Sequence, residues 1–98
     1  MGVLLTKRSR VVVQGITGHQ GQFHTRSMLD FGTKVVAGTS PEKGGTKVEG
    51  VPVFESVQQA VDKKRADASI IFVPAPYTKD AAIEAMAAGL RRVVIVTE

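Results

Sequence analysis

The sequence predicts a three-layer α/β domain whose parallel sheet is wound in both directions from its first strand. Three observations predict it. Short β-branched runs alternate along the chain with helix-like stretches. The runs are continuously apolar rather than alternating, as expected of strands covered on both faces. A glycine-rich segment follows the first run, where folds of this kind bind phosphates.

Val11-Val12-Val13 is the first strand and Lys34-Val35-Val36-Ala37 the second. Val51-Pro52-Val53-Phe54 is the third, with Pro52 suited to an edge or a strand start. Ser69-Ile70-Ile71-Phe72-Val73 is the fourth and Val93-Val94-Ile95-Val96 the fifth. Residues 20–31 read as the first helix, stopped by Gly32. Ser56 opens the second helix, and Gln59 three positions on completes a capping box. Val57, Ala60 and Val61 then share a face. Thr78 is the expected cap of the third helix, with Asp80 in its first turn. Ile83, Met86, Ala87 and Leu90 have the spacing of a buried stripe, and Gly89 is the expected stop. Right-handed crossovers turn this order into a Rossmann-like doubly wound sheet with strand order 3-2-1-4-5.

Composition bounds the function. The 98 residues suffice for one packed core, not for two domains. No apolar run reaches the ~18–20 residues that cross a bilayer, so no membrane span is expected. Residues 1–10 place Val3-Leu4-Leu5 before Lys7, Arg8 and Arg10, the reverse of a secretory signal, and read as a lead-in strand or arm. Cysteine is absent, which excludes disulfides, thiolate metal sites and thiol nucleophiles, and fits a cytoplasmic protein. The net charge of +4 favours an anionic partner. Aromatics are 5% with no tryptophan, which argues against a base-stacking nucleic-acid module. Thirteen scattered Lys and Arg read as a solvated surface or an anionic-ligand field. No carboxylate pair, H-E-x-x-H motif or Ser-His-Asp set suggests independent catalysis.

The glycine loop is Gln14-Gly15-Ile16-Thr17-Gly18-His19-Gln20-Gly21. Gly15 suits the tight turn, Gly18 lets backbone approach a phosphate, and Gly21 lets helix pack on strand. N–H groups at the helix start then face an anion. Thr17 and Gln20 add donors. The spacing is G-x-x-G-x-x-G, unlike the dinucleotide G-x-G-x-x-G, and the same glycines would serve a plain turn. After the second strand, Gly38-Thr39-Ser40-Pro41 lacks the acid that holds a ribose in NAD domains. Lys43, before Gly44-Gly45 in an expected flexible loop, either meets a phosphate or stays solvated. At the end of the fourth strand, Phe72-Val73-Pro74-Ala75-Pro76 carries two prolines that set a rigid bend at the carboxyl edge, where open α/β sheets bind ligands, and that would equally stiffen a loop before the third helix. Thr97 and Glu98 are expected to end the fifth strand on that same edge.

These segments together resemble the start of the succinate–CoA ligase α subunit. The resemblance runs through residues 14–24, Phe31-Gly32-Thr33-Lys34, residues 39–45, residues 50–54, Phe72-Val73-Pro74-Ala75-Pro76 and Val96-Thr97-Glu98, and spans essentially the whole chain. It implies a coenzyme A-binding domain. It implies CoA contacts at Thr17, Gly18, His19 and Gln20, at Lys43, and at Val96, Thr97 and Glu98. It also implies, in the full enzyme, a second domain with a transiently phosphorylated histidine and a β subunit that binds nucleotide and metal. Neither His19 nor His24 matches that histidine, so these 98 residues alone are expected to be inactive. The alternatives are a stand-alone CoA-binding module and, less favoured by the glycine spacing and the missing acid, an NAD(P) domain.

Overall fold

The computed structural model describes residues 8–41 and 43–96. Of the expected lead-in at residues 1–10, residues 1–7 lie outside the described residues and Arg10 begins the first strand; the expected contacts at Thr97 and Glu98 also lie outside the described residues. The elements are β1 (Arg10–Gln14), α1 (His19–Phe31), β2 (Lys34–Thr39), β3 (Lys47–Val48), β4 (Val51–Phe54), α2 (Val57–Lys64), β5 (Ala68–Ile71), α3 (Ala75–Ala87) and β6 (Arg92–Ile95). The sheet order is β3-β4-β2-β1-β5-β6. All pairs are parallel except β3 with β4. The five expected strands therefore stand in the expected 3-2-1-4-5 order. The two-residue β3 adds an antiparallel edge and makes the sheet mixed.

The continuous valine run of β1 explains the three layers. Val11 and Val13 point into one core, with Ile16, Val35, Val53 and Ile70, which Met28 and Leu29 of α1 cover. Val12 points into the opposite core with Ala37, Val57, Ala60, Ala85 and Leu90, which belongs to α2 and α3. Each side of a pleated strand needs its own cover.

Helix ends follow local chemistry. Gly32 closes α1 at φ 97°, and its N–H donates to the Leu29 carbonyl at 3.1 Å. A left-handed residue there suits glycine. Ser56 caps α2: its Oγ accepts from the Gln59 N–H at 3.2 Å. Gln59 Oε1 reaches back one residue further than a capping box requires, accepting from the Glu55 N–H at 3.1 Å. Glu84 on α3 supplies another acceptor: its Oε2 takes the Val57 N–H at 2.8 Å.

The third helix departs from expectation. It starts at Ala75 with Pro74 as its cap, not at Thr78, and Pro76 lies in its first turn. Proline fits there because early helical N–H groups have no intrahelical partner. Thr78 Oγ1 instead donates back to the Pro74 carbonyl at 3.4 Å, and Asp80 lies beyond the first turn. The buried stripe is also rotated. Ile83 and Met86 are 49% and 59% exposed and Ala87 is exposed, while Ala85 and Leu90 are buried. Ala85 faces the sheet, and its small side chain lets the helix lie close to it.

Candidate functional site

The carboxyl edge of the sheet opens beside β1 because the chain leaves β1 for α1 on one face and leaves the neighbouring β5 for α3 on the other. The glycine loop fills that opening. Gly15 turns at φ 81°, and its N–H donates to the Thr39 carbonyl at 3.0 Å. A β-carbon on Gly15 would lie 2.5 Å from the Phe72 carbonyl oxygen, and one on Gly21 would lie 2.2 Å from the Gly15 oxygen. Both glycines are thus required by the packing of loop, strand and helix. Ile16 is fully buried and anchors the loop in the core.

Gly18 is different. It caps α1 with φ −76°, and the nearest atom to an added β-carbon would be 3.6 Å away. Packing leaves room for a side chain at Gly18, and its backbone angles suit any residue. No side chain caps α1 here, so the first-turn N–H groups stand open at the positive end of the helix. Thr17 Oγ1 lies 2.7 Å from Ser40 Oγ, joining the loop to the end of β2. The pair shares one hydrogen between two hydroxyls, which leaves the second hydroxyl hydrogen for a ligand. Gln22 Nε2 donates to the Thr17 carbonyl at 2.7 Å and steadies the loop from below.

Two clefts flank the start of α1. The larger, about 500 Å³, is lined by Gly15, Thr17, Gly18, Ser40, Val73 and Pro74, with Tyr77 on its α3 side. The smaller, about 300 Å³, is lined by Gly18, His19, Gln20, Val73, Pro74 and Val96. Gly18, Phe72, Val73 and Pro74 belong to both. Val96 is held there by its N–H, which donates to the Ile71 carbonyl at 3.0 Å.

Among the described residues, those singled out in the sequence lie together around these clefts, with one offset. Lys43 lines neither cleft but follows directly on the larger one: its N–H donates to the Ser40 carbonyl at 3.2 Å. Its loop is more ordered than the paired glycines suggest. Thr46 Oγ1 donates to the Lys43 carbonyl at 2.6 Å, and the Gly45 N–H donates to the Val53 carbonyl at 3.0 Å. Lys43 itself is exposed.

Four further residues of the site were not singled out. Ser40 pairs with Thr17, and Phe72 and Tyr77 supply apolar wall. Gln14 lies beneath, fully engaged: its Nε2 donates to the Ala81 carbonyl at 3.0 Å, and its Oε1 accepts from Ser69 Oγ. Gln14 was visible as a polar residue ending an all-valine run, a signal for a buried polar bridge.

Comparison with known proteins places these features. A family model described as CoA binding domain matches residues 6–98. The chain is 56% identical over all 98 residues to succinate–CoA ligase [ADP-forming] subunit alpha 2 of Archaeoglobus fulgidus, covering 34% of that protein. It is 52% identical to the corresponding alpha subunit of Aquifex aeolicus, covering 32% of it. The chain thus spans about a third of the length of these relatives. Among solved structures, a Rex-family repressor superposes with TM-score 0.75 at 18% identity, over 91% of this chain and 45% of that one. A conserved hypothetical protein of Pyrococcus furiosus superposes with TM-score 0.74 at 21% identity, over 90% and 74%. At those identities the likeness is one of fold, and it agrees with the Rossmann-like sheet.

Proposed function

Because the chain belongs to the CoA-binding domain family, we propose that it holds coenzyme A across the two clefts, as the CoA-binding part of an NDP-forming succinate–CoA ligase α subunit. The observation that carries this reading is the uncapped start of α1 at Gly18, where both clefts meet and where packing leaves room for a side chain that is not there.

The assignment of roles follows the geometry. Open N–H groups at His19 and Gln20, with the helix dipole, favour the pyrophosphate. The Thr17–Ser40 hydroxyl pair and the Gln20 carboxamide add donors beside it. Gly15 shapes the loop without touching the ligand by a side chain. Lys43, whose backbone is bonded to Ser40, would meet the 3′-phosphate of CoA beyond the larger cleft. Val73, Pro74 and Val96 form a less polar wall suited to the pantetheine arm. Thr97 and Glu98 follow Val96 directly, and the resemblance adds them to the contacts.

Bound CoA supplies the thiol that becomes the thioester of succinyl-CoA. In the ligase reading, these residues hold the thiol-bearing arm and a second domain and a β subunit carry out phosphoryl transfer. The 98 residues are not expected to form succinyl-CoA from succinate, CoA and ATP or GTP by themselves. Calorimetric titration with CoA and with NAD tests the ligand. CoA is expected to bind more tightly; tighter binding of NAD overturns the reading.

A further inference from the structure

His24 sits one turn into α1, half-buried, between the glycine loop and the end of β5. Its ring is stacked on Phe72, with centroids 4.9 Å apart and planes 5° from parallel. Phe23 stands nearly perpendicular to it, with ring centroids 5.2 Å apart and planes at 83°. Its Nε2 lies 3.0 Å from Gln20 Oε1. The oxygen can only accept, so Nε2 carries the hydrogen and donates it. The flat contact with Phe72 leaves the imidazole little freedom to turn away. The bond engages the carboxamide oxygen of Gln20 and leaves its NH₂ group as the end that can meet a ligand. Gln20 and Phe72 both line the smaller cleft.

We infer that His24 is a positioning residue: clamped on Phe72, it fixes the Gln20 carboxamide with its NH₂ group presented to an acceptor oxygen of the bound ligand. Without this bond the carboxamide is free to rotate, and half of its orientations present an acceptor to an acceptor. The inference rests on the proposal that Gln20 meets CoA. It does not require His24 to touch the ligand or to exchange a proton with it.

The test uses His24→Phe, which keeps a flat ring on Phe72 and removes the N–H. Calorimetry with CoA is expected to show a roughly threefold to tenfold loss of affinity, the range for one neutral hydrogen bond. In a Gln20→Ala background the same change is expected to have no further effect. An unaltered affinity in His24→Phe, or an equal loss in both backgrounds, overturns the inference. A second measurement is independent of CoA. Nitrogen-15 NMR of the wild-type chain is expected to show the Nε2-protonated tautomer of His24 and a distinct Gln20 carboxamide pair, which collapses towards free-amide shifts in His24→Phe. The Nδ1-protonated tautomer would overturn the clamp. If the wild type does not bind CoA while the NMR signatures are present, the ligand assignment fails and the clamp stands.

Discussion

Ile16 occupies the space that a side chain at Gly38 would need: a β-carbon built on Gly38 would lie 2.4 Å from Ile16 Cδ1. The contact links the carboxyl end of β2 to the first turn of the glycine loop. It makes the position of the loop a property of the core, because Ile16 is fully buried while Thr17 and Gly18 beside it line the clefts.

Gly38→Ala is therefore expected to act twice. Overpacking against Ile16 should cost about 1–3 kcal/mol of stability, read by urea denaturation. The displaced loop should also weaken CoA binding in conditions where the variant is fully folded. Normal affinity in the folded variant would mean that the loop moves independently of its anchor.

Two of the loop glycines, Gly21 and Gly18, should separate by role. Gly21→Ala meets backbone at 2.2 Å and should be strongly destabilising. Gly18→Ala meets nothing closer than 3.6 Å and should lower stability by less than ~1 kcal/mol, as for other changes at a helix cap. Its CoA affinity should nonetheless fall, because the added methyl lies where both clefts meet. Thermal melts and calorimetry on the pair show whether stability and binding come apart in this way.

Lys43→Ala should weaken CoA more than dephospho-CoA if the ammonium meets the 3′-phosphate. A charge-assisted bond contributes on the order of 1.5–3 kcal/mol, and exposure of Lys43 puts the expected loss at the low end, roughly tenfold. Added salt should shrink the difference. Thr17→Val, which removes the partner of Ser40, should weaken both ligands alike. Equal affinities of wild type and Lys43→Ala for both ligands would return the lysine to a solvated role.

Glu84→Ala removes the acceptor that α3 offers to the Val57 N–H at the start of α2. The expected cost is about 1 kcal/mol, the usual value of a helix cap. Glu84→Gln retains an oxygen at the same reach and should recover much of it. Chemical denaturation of the two variants checks the order.

The parallel strands, the first two helices and the glycine loop were legible because each has a local cause. Valine and isoleucine runs favour pleated backbone, and Ser56 and Gly32 terminate helices by their own chemistry. The phase of α3 was not legible. Apolarity ranks Ile83 and Met86 above the alanines, yet close approach to the sheet selects Ala85. The same helix hid its start, because Pro74 and Pro76 suggest a bend and also suit a first turn. The two-residue β3 is too short to show a period. In the site, the loop and Lys43 stood out through composition, whereas Ser40, Phe72 and His24 acquire meaning only through partners distant in sequence.

The central place of β1 also sets an order of events during synthesis. The strand is made before both of its neighbours and pairs first with β2, but its other edge waits for β5, from Val11 to Ala68. Loop closure over such a separation is slow compared with local helix formation. Until residues 68–71 leave the ribosome, the nascent chain presents a valine-rich strand with one bare edge. That edge is a template for pairing with any other extended segment. A stalled translation product ending before β5 should therefore aggregate, and chaperone capture should be concentrated in that window of chain length.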